Sequence, residues 1–274
     1  RRTHKPEVSG SIPLPATKTM KTEYHLEKNL QNSILIENLI NNINFRFINN
    51  SMSREDSILY RTFNRVIPKN YRDFLNTKIN DDNVKKNFLK LIEVKRMATY
   101  STFYLINSIC KNINKGSYLN IGFWNGFSLF SGMLDTQCEV VGVDNFSEFD
   151  GNNSEQLFKK KFNKIKKDNH HYLKLDALES LKTCNKKFDF YFYDALHTYE
   201  YQYEALSLAT PLLNKGALIM IDDICWNYSN DPIEATKKFL KDNPNDYKLL
   251  LDVRTKYNKH PTFSNGYFII EEIR

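Results

Sequence analysis

The chain is poor in cysteine, contains no long apolar run and lacks the glycine signature of a dinucleotide site. Its four cysteines, Cys110, Cys138, Cys184 and Cys225, lie far apart with no CxxC pair. That spacing excludes a zinc ribbon or finger. A disulfide framework is out of keeping with 274 residues, which can bury a full core. Reduced thiols in a cytoplasmic protein are the expectation. No stretch approaches the roughly 20 apolar residues that a membrane-crossing helix needs. The opening residues, Arg1-Arg2-Thr3-His4-Lys5-Pro6, are followed by no apolar segment of the secretory kind. They include no initiator methionine, as in a trimmed or partial chain. No G-x-G-x-x-G occurs and no internal repeat is evident.

What is present is ordinary for a globular protein: 41% hydrophobic and 26% charged residues. The net charge of +7 permits an anionic partner without demanding one. Basic density peaks at Lys159-Lys160-Lys161, Lys164, Lys166 and Lys167, running into His170-His171. Aromatic residues barely interleave there. The solvated face of a helix is therefore favoured over a nucleic-acid patch.

Residues 1–22, with Pro6, Pro13 and Pro15, read as an extended arm. From Glu23 to Ile43, apolar residues recur at three- and four-residue steps, which predicts a helix. An irregular stretch follows through Pro68. Further helices are expected around Val84–Ile92 and from Met97 to Ile113, so residues 23–96 form a helical extension: a lid, a dimer interface or an acceptor-recognition element. After Gly116 the texture changes. Strands at Ser117–Ile121, Glu139–Val143, Tyr172–Leu175, Phe188–Tyr193 and Ala217–Ile221 alternate with helices at Ser128–Leu134, Glu155–Lys166, Ala177–Thr183, Tyr199–Leu213 and Pro232–Lys241. Two more strands, Tyr247–Val253 and Tyr267–Ile270, are joined by a loop alone and should pair antiparallel. The whole is an α/β chain with a mostly parallel sheet covered on both faces.

In such a sheet, ligands bind beyond the carboxyl ends of the strands. The residues there are unusual. Gly122 and Gly126 sit in the first turn and Ser128 opens the next helix, whose free N–H groups suit an anion. The same spacing also serves a plain structural turn. Asp144 ends the second strand, either to accept ribose hydroxyls or to cap a turn. Asp194, Asp222 and Asp223 bring three carboxylates to one sheet edge, where like charges repel unless protonated or bound to a hard cation such as Mg²⁺. Capping of the next segment is the plainer role for Asp222-Asp223. His197, three residues after Asp194, either serves the same pocket or is an incidental loop histidine.

These residues carry a resemblance. The turn Gly122-Phe123-Trp124-Asn125-Gly126-Phe127-Ser128, the run Phe188-Asp189 through Asp194-Ala195-Leu196-His197-Thr198-Tyr199-Glu200, the turn Pro211-Leu212-Leu213-Asn214-Lys215-Gly216 and the pair Asp222-Asp223 are together similar to the class I S-adenosylmethionine (SAM) dependent methyltransferases. Within them they resemble the metal-dependent small-molecule O-methyltransferases of the catechol, caffeoyl-CoA and macrolide-sugar (macrocin) types. The resemblance spans about residues 97–272, within a domain set at residues 97–274. It implies a Rossmann-like seven-stranded sheet with a C-terminal antiparallel strand. It also implies roles. Asn120, Gly122, Trp124, Gly126 and Ser128 would hold the methionine part of SAM, Asp144 the ribose, and Asp176 and Ala177 the adenine. Asp194, Asp222 and Asp223 would hold Mg²⁺, and His197, with Asp194, would act on the acceptor. Asn120 departs from the acid usual at its position, and Lys215-Gly216-Ala217 lacks a second glycine.

The expected chemistry is transfer of the SAM methyl group to an oxygen of a small-molecule or sugar acceptor, with Trp124, Trp226 and Tyr199 either walling the pocket or packing the core. Acceptor choice is expected in residues 23–96 and in the loops Phe146–Asn153 and Trp226–Asp231. The competing readings are a metal-independent nitrogen or RNA methyltransferase, and a non-catalytic binding protein of the same fold.

Overall fold

The computed structural model describes residues 22–45, 77–148, 152–226, 230–255 and 263–274. The extended arm before Thr22 and the irregular stretch through Pro68 lie outside them.

Strands β4 (Ser117–Ile121), β5 (Glu139–Val143), β6 (His170–Leu173), β7 (Phe188–Tyr193) and β8 (Leu213–Ile221) pair in parallel. Strand β10 (Tyr267–Glu272) runs antiparallel between β8 and β9 (Tyr247–Thr255). This is the Rossmann-like sheet expected, with an eighth strand added. With β1 (Thr22–Leu26) at one edge, the order is β1-β9-β10-β8-β7-β4-β5-β6.

Period-two alternation divides the core between the two faces. Along β7, Phe190 and Phe192 join Tyr118, Leu218 and Met220 on one side. Tyr191 and Tyr193 join Leu119, Ile121, Ile219 and Ile221 on the other. The first face is covered by α1 (Ser33–Asn41), α2 (Asp82–Leu89), α3 (Tyr100–Asn112), α4 (Phe127–Met133) and α5 (Asn152–Ile165). The second is covered by α6 (Ala177–Thr183), α7 (Tyr199–Ala209) and α8 (Asp231–Asp242). Helix α7 ends earlier than its apolar pattern suggests. Pro211 cannot supply the next helical N–H, so the chain tightens into a 3₁₀ turn at Thr210–Leu212 and enters β8.

The N-terminal stretch differs more. Residues 23–32 are not helical: Thr22–Leu26 form β1, and α1 begins only at Ser33. Strand β1 lies antiparallel on β9, and the Glu27 N–H continues the ladder to Leu250 O at 2.9 Å. Without β1, the backbone groups of β9 would line an open edge. The intervening turn is held by Asn32, whose N–H and Nδ2 donate to the Glu271 carboxylate at 3.2 and 3.1 Å. Ile43–Phe45 (β2) and Thr77–Ile79 (β3) add a small antiparallel pair. Ile36, Phe88 and Phe103 share the core of the first sheet face.

All four cysteines are free. Among the described residues no helix is long and apolar enough to cross a membrane.

Candidate active site

The β4–α4 turn is built on backbone geometry that side chains resist. Gly122 has φ +77°, and a Cβ there would lie 1.9 Å from the carbonyl oxygen of Asp194. The glycine therefore lets the end of β4 close directly on the end of β7. Gly126, at φ +92°, fits beneath the rings of Phe130 and Phe158. Trp124 also adopts a positive φ, +47°. Its indole N–H donates to Ser154 Oγ at 3.0 Å, and Lys95 Nζ stands 5.1 Å over its ring.

Asp144 clamps this turn. One carboxylate oxygen accepts the N–H groups of Phe123 (2.9 Å) and Trp124 (2.7 Å), and the other accepts that of Phe146 (2.7 Å). A carboxylate offers about four lone-pair positions, so three are taken by the protein's own backbone and one is left for a ligand. Asp176 is similar. It caps α6 by accepting from Leu178 and Glu179, and also takes the Tyr201 hydroxyl at 2.8 Å. Burial opposes ionisation there, but the hydrogen bonds from Tyr201 and the helix N–H groups hold the carboxyl below the usual aspartate range. Ala177 is buried beside it. Asn120 is fully buried on the first sheet face, its Nδ2 donating to Tyr118 Oη at 2.7 Å and its Oδ1 without a partner. Ser128 is buried in the first turn of α4, and its carbonyl accepts the Tyr118 hydroxyl.

At the next strand ends three side chains converge. Asp194, His197 and Asp223 each offer a ligating atom within 4.8 Å of the others. His197 Nε2 stands 3.6 Å from Asp194 Oδ1 and 3.9 Å from Asp223 Oδ2. The loop carrying Asp194 and His197 is pinned twice. The Asp194 N–H donates to Ile121 O on β4 at 2.9 Å, and the buried Tyr193 hydroxyl donates to Leu196 O. Asp223 sits at φ +57°, with Asn265 Nδ2 donating to its Oδ1 at 3.0 Å. Asp222 does not join the group of three. It is buried, and its Oδ1 accepts the N–H of Asp223 at 2.9 Å.

The electrostatics follow from this crowding. Burial, then the charge of Asp194, pushes the Asp223 carboxyl up to about 6. Burial and the charges of Asp223 and Asp194 raise Asp222 well above the ordinary range, toward its neutral form. Burial alone would make the His197 imidazole less basic, but Asp194, Asp223 and Gln202 outweigh it and raise its pKa. Trp226, about half exposed, lies with its ring centroid 6.3 Å from that of His197. Tyr199 instead stacks on Tyr203.

Pattern reading missed Asn265, Tyr193, Tyr201 and Gln202. Gln202 alone had a signal, a polar residue on the inward side of α7. The basic run is a largely committed helix face: Lys159 pairs with Glu155, while Lys161 and Lys167 donate to the carbonyls of Lys90 and Thr136. His170 is buried rather than part of a surface patch.

The same arrangement of strands and helices is found in known structures. The SAH-bound methyltransferase PaMTH1 of Podospora anserina is 17% identical, covering 84% of this chain and 99% of that one, with a TM-score of 0.51. The O-methyltransferase from Bacillus cereus in complex with SAH is 14% identical, over 80% and 97% of the two chains, also at 0.51. Cofactor-bound Rv0187 from MTB is 16% identical, over 81% and 98%, at 0.51. At such identities the likeness is one of fold. No curated protein sequence matches the chain significantly. Residues 119–224, however, match the family model described as a methyltransferase domain. The chain has the Rossmann-like fold of these methyltransferases, and its central segment matches a methyltransferase domain. The matched span runs from β4 through Ile224 and so includes the glycine turn, Asp144, Asp194, His197 and Asp223.

Proposed function

We propose that the methyltransferase moves the methyl group of SAM to a hydroxyl oxygen of a small molecule or sugar, with Mg²⁺ or a similar divalent cation held beside the acceptor. The observation that carries this reading is the convergence of Asp194, His197 and Asp223 at the strand ends, against the backbone of the Gly122 turn. SAM would lie along the turn from Gly122 to Ser128, with the remaining lone pair of Asp144 for a ribose hydroxyl and the Asp176–Ala177 corner beside the adenine.

The donor set fits a hard cation. Two partly buried carboxylates, one of them raised to about 6 by burial and then by its neighbour's charge, form a site short of positive charge. Mg²⁺ is commonly held by one or two carboxylates with water and substrate oxygens completing its shell. Asp194 and Asp223 would supply these. Asp222, kept toward its neutral form, serves through the backbone N–H of Asp223 rather than as a ligand. A cation there supplies Lewis acidity toward an acceptor oxygen.

The chain's own residues do the rest. His197 Nε2 takes the hydroxyl proton. The acceptor oxygen's lone pair forms the new bond to the methyl carbon as the carbon–sulfur bond breaks, and its electron pair stays on sulfur, which becomes a neutral thioether. The rigid turns align oxygen, carbon and sulfur, which supplies much of the rate. Trp226 and the half-exposed Leu196 offer apolar surface to an acceptor beside His197.

The test is methyl transfer from SAM to a panel of diols, catechols and sugars, with EDTA and with Mg²⁺ restored. Activity lost to EDTA and recovered with Mg²⁺ is expected. Full activity in EDTA would remove the cation from the mechanism, and no SAM binding by calorimetry would leave a non-catalytic scaffold.

A further inference from the structure

The mechanism uses one nitrogen of His197, and the other is unaccounted for. Nδ1 is buried and has no hydrogen-bond partner of ordinary geometry. A buried ring N–H without an acceptor is costly, about 1–3 kcal/mol. One turn along α7, Gln202 has the complementary problem. It is fully buried, and its Oε1 also lacks a partner.

The orientation of the Gln202 amide is not free. Its Nε2 donates to Pro232 O at 2.8 Å and to Thr236 Oγ1 at 2.9 Å, both at the start of α8. Pro232 O can only accept, and Thr236 has committed its own hydroxyl hydrogen to that same carbonyl at 2.7 Å. Exchanging the amide's oxygen and nitrogen would set acceptor against acceptor. Oε1 is therefore turned away from α8. The two side chains are held close by the backbone: the Gln202 N–H donates to Thr198 O, one residue after His197, at 3.1 Å.

We propose that Gln202 is a positioning residue for His197: its Oε1 accepts Nδ1–H, which fixes the ring and leaves the lone pair of Nε2 facing Asp194, Asp223 and the acceptor. The second nitrogen of a functional histidine commonly sets which tautomer the first presents. Here that control comes from an amide locked by a different helix. The inference rests on the reading of His197 as the proton acceptor only for its effect on rate. The tautomer itself is a property of the resting protein.

Long-range ¹H–¹⁵N spectra of ¹⁵N-histidine-labelled protein, recorded where the ring is neutral and without SAM or acceptor, read the tautomer directly. The expected form carries hydrogen on Nδ1. Gln202→Leu should lose that preference and lower kcat about 10–100-fold with KM for SAM little changed. Gln202→Glu, which keeps an acceptor oxygen, should retain the tautomer and part of the rate. Should Gln202→Leu fail to fold, the wild-type and Gln202→Glu spectra still decide. Hydrogen on Nε2 in the wild-type protein, or a Gln202→Leu spectrum and kcat equal to wild type, overturns the assignment. If the tautomer is as expected but no hydroxyl acceptor is methylated, Gln202 keeps its role and the proposed reaction fails.

Discussion

Asp222 and Asp223 are consecutive, yet only Asp223 brings a carboxylate oxygen to the His197 imidazole, 3.9 Å away, while Asp222 accepts the N–H of Asp223. The two should respond differently to loss of charge. Asp223→Asn is expected to lower kcat and Mg²⁺ affinity at least about tenfold, read from activity titrated against Mg²⁺. Asp222→Asn keeps an acceptor oxygen for the same N–H and removes no charge that the buried site retains. Little loss of activity and an unchanged or higher Tm are expected. The reverse ranking would put Asp222 among the ligands.

His197→Ala should cut turnover by about 10²–10⁴. SAM affinity by calorimetry should stay within about twofold, because the residues proposed for SAM lie on other loops. A parallel loss of SAM binding would mean that the imidazole supports the cofactor site instead.

These expectations depend on features that a sequence shows unevenly. Phe188–Tyr193 and Glu139–Val143 were legible to the residue, because a strand largely buried on both faces is mostly apolar and bounded by turn residues. The carboxylates at the strand ends were legible for the same reason: the strand boundaries locate them. Strand β1 was not. Thr22–Leu26 is a short edge strand of mixed polarity whose partner, Tyr247–Thr255, lies at the far end of the chain, and its Leu26 falls in step with the four-residue spacing of Leu30 and Ile34. Nor could pattern separate Asp222 from Asp223, since adjacency in sequence says nothing about which carboxylate a left-handed turn presents. The clamping duties of Asp144 and Asp176 were hidden likewise, because the backbone N–H groups they accept are defined only once the turns have formed.

Gly122 and Gly216 both adopt positive φ, but with different surroundings. At Gly216 the nearest atom to a built Cβ is 3.4 Å away, on the Gln31 side chain. Gly216→Ala should cost about 1–2 kcal/mol, the ordinary penalty for a left-handed residue. Gly122→Ala adds a backbone collision and should cost more than about 3 kcal/mol, or prevent folding. Urea denaturation of the two variants compares them. Equal costs would show that the β4–β7 junction yields easily.

His170 links stability to acid. Burial, then the charges of Lys167 and His171, lowers its pKa from 6.5 to about 4, and its Nδ1 accepts the Lys167 N–H at 3.1 Å. The folded protein keeps the ring neutral while the unfolded chain protonates near pH 6.5. The contribution is therefore complete above about pH 6.5 and is lost as pH falls toward 4, by at most about 3 kcal/mol. Thermal melts between pH 7.5 and 4.5 should show this slope, and His170→Asn should flatten it. An equal slope in both proteins would assign acid sensitivity to other groups.

Strand β1 also has a consequence for how the molecule is made. Its register sets Thr22 opposite Thr255. On the ribosome the segment emerges long before the strand it docks against. Until that distant strand has been made, an unmated strand trails from the nascent chain, so this sheet border closes late.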